Sequence, residues 1–104
     1  MPAVTRRYDL AISIEVAEHI EPGNAEEFVR LLTGLSDTVL FSAAIPGQGG
    51  TGHVNEQWPE YWAALFRASG YGAMDCLRTK IWDDAQIPFW YRQNCLIFAA
   101  QRRT

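Results

Sequence analysis

The chain has 104 residues, of which 48% are hydrophobic and 20% are charged, and its formal net charge is −3. This length predicts one domain, residues 1–104, with a core of modest size. The acidic balance excludes the basic surface that nucleic-acid binding requires, so we expect no nucleic-acid partner. No apolar run approaches the roughly 18 residues of a membrane span, and the first residues do not form an apolar signal segment. We therefore expect a cytoplasmic protein without a membrane partner.

The first predicted strand covers residues 8–16 and leads directly into a polar cluster. Its apolar residues form a nearly continuous run, typical of a strand buried on both faces of a parallel sheet: Leu10, Ala11, Ile12, Ile14 and Val16. Glu15, Glu18 and His19 lie at its carboxyl end. Ligands of open α/β sheets bind beyond the carboxyl ends of the strands, so these polar side chains mark the expected functional end of the sheet.

Two amphipathic segments predict helices. Asn24 is the expected N-cap of the first helix, because Glu27 follows it three residues later in the capping-box position. Pro59 suits the first turn of the second helix, and Gly70 is expected to end it. Each helix carries an apolar stripe, formed by Ala25, Phe28, Val29, Leu32 and Leu35 in the first and by Trp58, Tyr61, Trp62, Leu65 and Phe66 in the second.

Three further strands are predicted at residues 37–45, 73–82 and 94–101. The order β-α-β-α-β-loop-β predicts an α/β fold with a mixed sheet of four strands and two main helices. The first three strands are connected through helices and should be parallel, whereas the last two are joined by the loop 83–93 and should form an antiparallel pair. Right-handed crossovers that step in one direction place both helices on the same face of the sheet.

The loop at residues 46–55 is rich in glycine and satisfies G-x-G-x-x-G between Gly47 and Gly52. A dinucleotide-binding loop must open directly into its helix, so that the helix N-terminus meets the pyrophosphate. Here four residues, His53 to Glu56, intervene before the segment that Pro59 opens. We therefore favour an active-site loop or lid over a cofactor-binding loop.

A metal site is the main alternative to solvated surface charge for the polar cluster after the first strand. Glu15, Glu18 and His19 form the pattern E-x-x-E-H. His53 lies in the loop after the neighbouring strand, which ends at the same edge if the two strands are parallel. Two carboxylates and two imidazoles that converge in this way suit Mg²⁺, Mn²⁺, Fe²⁺ or Zn²⁺, and the mixed set excludes none of them.

The same region resembles the fourth strand and following turn of class I S-adenosylmethionine-dependent methyltransferases of the type 11/12-like group. The resemblance rests on Asp9-Leu10 and on the E-x-x-E-H motif. In addition, Val39-Leu40-Phe41-Ser42 is similar to the family's fifth strand. The family ends with an antiparallel sixth and seventh strand. The resemblance extends from about Arg7 to Phe98 and implies the C-terminal half of a Rossmann-like sheet, without the glycine-rich half that holds the cofactor.

The resemblance implies methyl transfer from S-adenosylmethionine to an oxygen or nitrogen of a small molecule. Ser13, Ile14 and Glu15 would border the cofactor, and Glu15, Glu18, His19 and His53 would hold a divalent metal. Because the glycine-rich half is absent, we expect the isolated chain to bind the cofactor weakly and to be inactive. A non-catalytic remnant that acts as an oligomerising or interaction module is the alternative, and a partner chain that supplies the missing half is another.

The apolar pattern also predicts a partner for the helix-free face of the sheet. The first strand alternates large apolar residues with Ala11 and Ser13, so both of its faces are poor in charge. A helix-free face of this kind exposes more apolar surface than a soluble monomer tolerates, and the strand at residues 8–16 forms an open edge. We therefore expect a homodimer, in which a second copy covers the face, or association with the missing N-terminal half.

Overall fold

The computed structural model describes residues 6–74, 86 and 94–101. These residues form an α/β fold in which a mixed sheet of four strands packs against two helices, as predicted. In chain order the elements are β1 (Ala11–Ile14), α1 (Ala25–Leu35), β2 (Thr38–Ser42), α2 (Pro59–Ala68), β3 (Tyr71–Met74) and β4 (Leu96–Ala100). Two short 3-10 turns, Ala17–His19 and Pro22–Asn24, lie between β1 and α1.

The strand order across the sheet is β1-β2-β4-β3. β1 and β2 are parallel neighbours, with Ile12 opposite Leu40. β4 lies between β2 and β3 and is antiparallel to both. The predicted antiparallel pairing of the last two strands is therefore confirmed, and the first three strands share one direction although β4 separates the third from the second.

Both helices pack on one face of the sheet, as the rule of right-handed crossovers predicts. The core on this face is dominated by aromatic rings, and the ring of Phe98 stacks on that of Phe66 with centroids 4.0 Å apart. Each large side chain buried here stabilises the fold by about 1.5–3 kcal/mol. The central members of this core are Ala11, Val29, Leu32, Val39, Phe41, Trp62, Phe66 and Phe98.

The opposite face carries a continuous apolar row that crosses all four strands. Ile12 pairs with Leu40, Leu40 with Ile97, and Ile97 with Met74. Ile12 is 60% exposed and Met74 50% exposed, so the prediction that β1 is buried on both faces is wrong for the described part of the chain. We call this row of Ile12, Leu40, Ile97 and Met74 the open-face row.

The first strand is shorter than predicted at both ends. Tyr8, Leu10 and Val16 are about half exposed and lie outside β1, because the chain pairs with β2 only between Ala11 and Ile14. Glu15 has φ 53°, in the left-handed region, and this single residue turns the chain out of the strand. Two residues, Glu15 and Val16, therefore separate the end of β1 from the 3-10 turn that carries Glu18 and His19.

Other boundaries agree more closely with the sequence. α1 begins after Asn24 as predicted, but the Asn24 side chain makes no capping hydrogen bond, so the predicted capping box is wrong. α2 begins at Pro59, and Gly70 follows its end with φ 83°. The third strand begins earlier than predicted, at Tyr71, and residues 75–85 and 87–93 lie outside the described part of the chain. Within the described residues, neither helix combines the length and the apolar character that crossing a bilayer requires.

Candidate metal centre

A cluster of one carboxylate and two imidazoles lies at the carboxyl ends of β1 and β2. Glu18 and His19 belong to the 3-10 turn after β1, and His53 lies in the loop between β2 and α2. One ligand atom from each of the three residues lies within 4.8 Å of the other two. The parallel pairing of the two strands brings these loops together, as the sequence predicted.

Main-chain hydrogen bonds fasten the second loop to the first. The amides of Val54 and Asn55 both donate to the carbonyl oxygen of Glu18, each at 3.0 Å. The Glu15 amide donates to the carbonyl oxygen of Ser42 at 3.0 Å and continues the β1–β2 contact beyond the strand ends. The position of His53 relative to Glu18 is therefore set by backbone contacts, and it does not depend on the side chains of the cluster alone.

The two imidazole rings are oriented by acceptors at their Nδ1 atoms. His53 Nδ1 lies 2.8 Å from the Glu56 carboxylate, and His19 Nδ1 lies 3.0 Å from the carbonyl oxygen of Gly52. A carboxylate and a carbonyl only accept, so a neutral ring makes these hydrogen bonds only as the tautomer with its proton on Nδ1, which leaves the lone pair on Nε2. Histidines that bind metals show this arrangement, with the second ring nitrogen held by an outer acceptor.

Glu18 is the buried centre of the cluster and lacks adequate hydrogen-bond donors. The residue is 1% exposed, and its Oε2 lies 3.6 Å from His53 Nε2, beyond the reach of a hydrogen bond. Its Oε1 has no hydrogen-bond partner among residues 6–74, 86 and 94–101. A carboxylate buried in this way is costly unless a cation compensates it. The donor set therefore fits a divalent metal.

Glu15 lies beside this group but outside it. Its Oε1 accepts a hydrogen bond from Gln48 Nε2 at 3.0 Å, and its Oε2 accepts one from the Ser42 hydroxyl at 3.1 Å. Burial raises the pKa of the Glu15 carboxyl, the hydrogen bond from Gln48 opposes this effect, and the charge of Glu18 adds to it. The structure thus gives Glu15 its own set of partners, and its role as a fourth metal ligand stays a prediction.

The residues predicted to border the cofactor lie at the same end of the sheet. The Ser13 side chain is on the helix-covered face, 3% exposed, and its hydroxyl has no hydrogen-bond partner within the described residues. Ile14 is half-buried at the end of β1. From Glu15 a polar chain continues inward, because Asn94 Nδ2 donates to Gln48 Oε1 at 2.9 Å.

The glycine-rich loop is folded around a carboxylate of its own. The amides of Gly47 and Gly49 donate to the two oxygens of Glu56, at 3.3 and 2.9 Å. The hydrogen bond from His53, followed by those from the two glycine amides, lowers the pKa of Glu56. A phosphate would need these amide donors, so their use by Glu56 argues against a dinucleotide-binding loop.

Two glycines of this loop touch the imidazole rings directly. A Cβ on Gly50 would lie 2.6 Å from His53 Cε1, and Gly50 has φ 147°. A Cβ on Gly52 would lie 3.3 Å from His19 Nδ1. The loop therefore requires glycine at position 50 both for its backbone conformation and for the close approach to the His53 ring.

Sequence reasoning found the three residues of the cluster but missed the groups that orient them. These groups are the Gly52 carbonyl beside His19 and the Glu56 carboxylate beside His53. The sequence marks Gly52 only as part of the glycine-rich loop and Glu56 only as a residue between that loop and the second helix. The spacing of Glu56, three residues after His53, is the one available signal, and such a spacing is common in loops. Comparisons with protein-family models, curated proteins and solved structures found no match to this chain.

Proposed function

We propose that this chain is a metal-binding domain of the methyltransferase type, in which Glu18, His19 and His53 hold a divalent cation. The observation that carries the proposal is the buried Glu18 carboxylate. Its Oε1 has no hydrogen-bond partner among the described residues, and it faces two imidazoles whose Nδ1 atoms already have acceptors. Two nitrogen donors and one oxygen donor suit Zn²⁺, Fe²⁺ or Mn²⁺ better than Mg²⁺, which prefers oxygen ligands.

In the proposed reaction, the bond between the sulfonium sulfur of S-adenosylmethionine and its methyl carbon breaks as that carbon bonds to an oxygen or nitrogen of a small molecule. S-adenosylhomocysteine leaves as a neutral thioether, and the acceptor loses its proton to solvent. The metal would bind the acceptor's oxygen and lower its pKa. Glu18 would contribute the negative charge that holds the cation, and His19 and His53 would provide its nitrogen ligands. Ser13, Ile14 and Glu15 would border the cofactor. Alignment of acceptor and methyl donor by these residues would supply most of the rate enhancement. The E-x-x-E-H resemblance supports this reading.

Metal titration by calorimetry tests the proposal. We expect Zn²⁺ and Mn²⁺ to bind with one site per chain and Mg²⁺ to bind more weakly. Glu18→Gln, which keeps the side-chain shape but removes the charge, should weaken Zn²⁺ binding more than about 100-fold, beyond the loss typical of outer-shell changes. Glu26→Gln, at an exposed position of α1, is the matched control and should leave binding unchanged. Equal affinities for the two variants would refute the proposed site.

Cofactor binding is expected to be weak in the isolated chain. The resemblance assigns the glycine-rich loop and the ribose-binding acid to the other half of the family fold, and residues 1–104 contain no counterpart. We therefore propose that a further chain or segment completes the cofactor site. Calorimetric titration with S-adenosylmethionine, with and without metal, should give a dissociation constant above roughly 10 μM, about −7 kcal/mol. Tighter binding would contradict an incomplete site.

An interaction module is the second candidate function, and the open-face row favours it. These four side chains form one apolar strip across the sheet, and Ile12 and Met74 at its two ends are at least half exposed. A second copy related by a two-fold axis would cover the strip with an identical one. Light scattering should then give twice the monomer mass of 11.7 kDa, and Ile12→Lys should restore the monomer.

Glu60→Lys, at an exposed position of α2, introduces the same lysine side chain away from the open-face row and serves as the control. We expect it to leave the dimer intact. A wild-type chain that remains monomeric at micromolar concentration would remove the proposed dimer.

A further inference from the structure

We infer that Glu56 is a positioning residue, which fixes His53 in the tautomer whose Nε2 lone pair points toward Glu18. The effect of Glu56 on metal affinity rests on the proposed function, whereas its effect on the His53 tautomer does not. Glu56 lies outside the ligand group and would not be expected to touch the metal itself.

The Glu56 carboxylate is the point on which the loop between β2 and α2 converges. Its Oε2 accepts from His53 Nδ1 at 2.8 Å and from the Gly49 amide at 2.9 Å, and its Oε1 accepts from the Gly47 amide at 3.3 Å. Two main-chain donors thus hold the carboxylate in addition to the imidazole, one at each oxygen. The acceptor that His53 meets is therefore itself held in place, as an outer-shell partner must be if it is to set a ring orientation.

The geometry sets up a competition between two carboxylates for one proton. Glu56 faces Nδ1 of His53 at 2.8 Å, and Glu18 faces Nε2 of the same ring at 3.6 Å. A neutral imidazole has one N–H. The nearer carboxylate lies within hydrogen-bond distance and accepts the hydrogen bond from that N–H. The ring then presents a lone pair to the buried Glu18 oxygen. The lone pairs of His53 Nε2 and of the Glu18 oxygen repel each other, and a cation bound to both atoms would remove this repulsion.

A purely structural role for Glu56 predicts something different. The loop contains four glycines with positive φ, at positions 47, 49, 50 and 52, and a carboxylate that gathers its amides would order it in any case. Under that reading, loss of Glu56 loosens the loop but has no directed effect on the His53 proton. If Glu56 positions the ring, its loss leaves the Glu18 carboxylate, 3.6 Å from Nε2, as the acceptor that faces a ring nitrogen within the described part of the chain, and the proton moves to Nε2.

The test is nitrogen-15 NMR of the His53 ring in the metal-free protein at pH 8, where the two ring-nitrogen shifts show which nitrogen carries the proton. We expect the proton on Nδ1 in the wild type and a shift toward Nε2 in Glu56→Ala. Glu56→Gln keeps the shape and one acceptor oxygen, so we expect a smaller shift in the same direction, and this variant serves if Glu56→Ala does not fold. Gln57→Ala is the control, because Gln57 braces the same loop through Asn55 without touching His53.

Zn²⁺ affinity gives the second readout. It should fall about 10–100-fold in Glu56→Ala and stay unchanged in Gln57→Ala. A wild-type ring that is protonated on Nε2, or on both nitrogens, overturns the inference, and so does a Glu56→Ala ring that keeps its proton on Nδ1. If the wild type shows the expected tautomer but binds no metal, the positioning of His53 stands and the proposed function fails.

Discussion

The polar end of the sheet and its helix-free face both leave groups without partners, and the two regions differ in what they lack. At the polar end, Oε1 of the buried Glu18 carboxylate meets no hydrogen-bond donor within the part of the chain that the structure describes. On the open face, Ile12 and Met74 are apolar and at least half exposed. A buried, uncompensated charge is expensive and demands a ligand of opposite charge at one defined point. An exposed apolar strip costs little at each residue and demands only that something cover it.

The two regions therefore restrict their binding partners to different degrees. The polar end constrains its ligand by charge, by donor type and by two oriented rings. The open face constrains its partner only by shape and by apolar character. The polar end therefore points to a chemical class of ligand, whereas the open face points to association.

The largest expected effect contrasts the two faces of the sheet. Phe98 is 1% exposed and stacked on Phe66, so Phe98→Ala should lower the free energy of unfolding by about 3–5 kcal/mol. Ile12→Ala removes a side chain that is 60% exposed and should cost under about 0.5 kcal/mol in a monomeric sample. Urea denaturation measures both changes. A cost for Ile12→Ala that grows with protein concentration would reveal a copy covering the open face.

A smaller effect tests whether the close contact between Gly50 and the His53 ring positions that ring. Gly50→Ala places a Cβ against the His53 ring at a backbone φ of 147°, and we expect a loss of about 1–2 kcal/mol together with weaker metal binding. Gly70→Ala, just after α2, is the matched control, since φ is 83° there and no atom lies within 4 Å of the added Cβ. Thermal unfolding and metal titration of the pair separate backbone strain from displacement of His53. Identical metal affinities in the two variants would show that contact with Gly50 does not position the ring.

The smallest effect is a pH dependence that arises from Glu15. Burial raises its pKa above 4.5, so the folded protein favours the protonated carboxyl, and stability falls as the pH rises through the raised value. Glu15→Gln removes this dependence. The variant should gain stability relative to the wild type at pH 7, and the gain should disappear below about pH 4.5. Denaturation curves at pH 4 to 7 measure the stability difference between Glu15→Gln and the wild type, and Glu26→Gln is the control for loss of an exposed carboxylate. A stability gain that grows toward acid pH would contradict the prediction.

Much of the fold was predictable because its signals are local and periodic. The helices at α1 and α2 follow from their apolar stripes and from Pro59 and Gly70, and the convergence of His53 on Glu18 follows from two parallel neighbouring strands. The orientation of side chains was not predictable. Nothing in the sequence shows that Glu15 turns the chain through a positive φ, or that Glu56 is the acceptor for His53. Both depend on how a glycine-rich loop closes on a neighbouring turn, which residue spacing does not encode.

The most direct test of the metal centre is a crystal of this chain grown with saturating Zn²⁺ and measured at the zinc absorption edge. Anomalous scattering locates the ion without reference to any assumed ligand. We predict one strong peak within bonding distance of a Glu18 carboxylate oxygen and of Nε2 of both His19 and His53, with Glu56 hydrogen-bonded to His53 on the outer side. A crystal in which zinc is bound elsewhere, or in which these three side chains are ordered with no peak between them, would contradict the account.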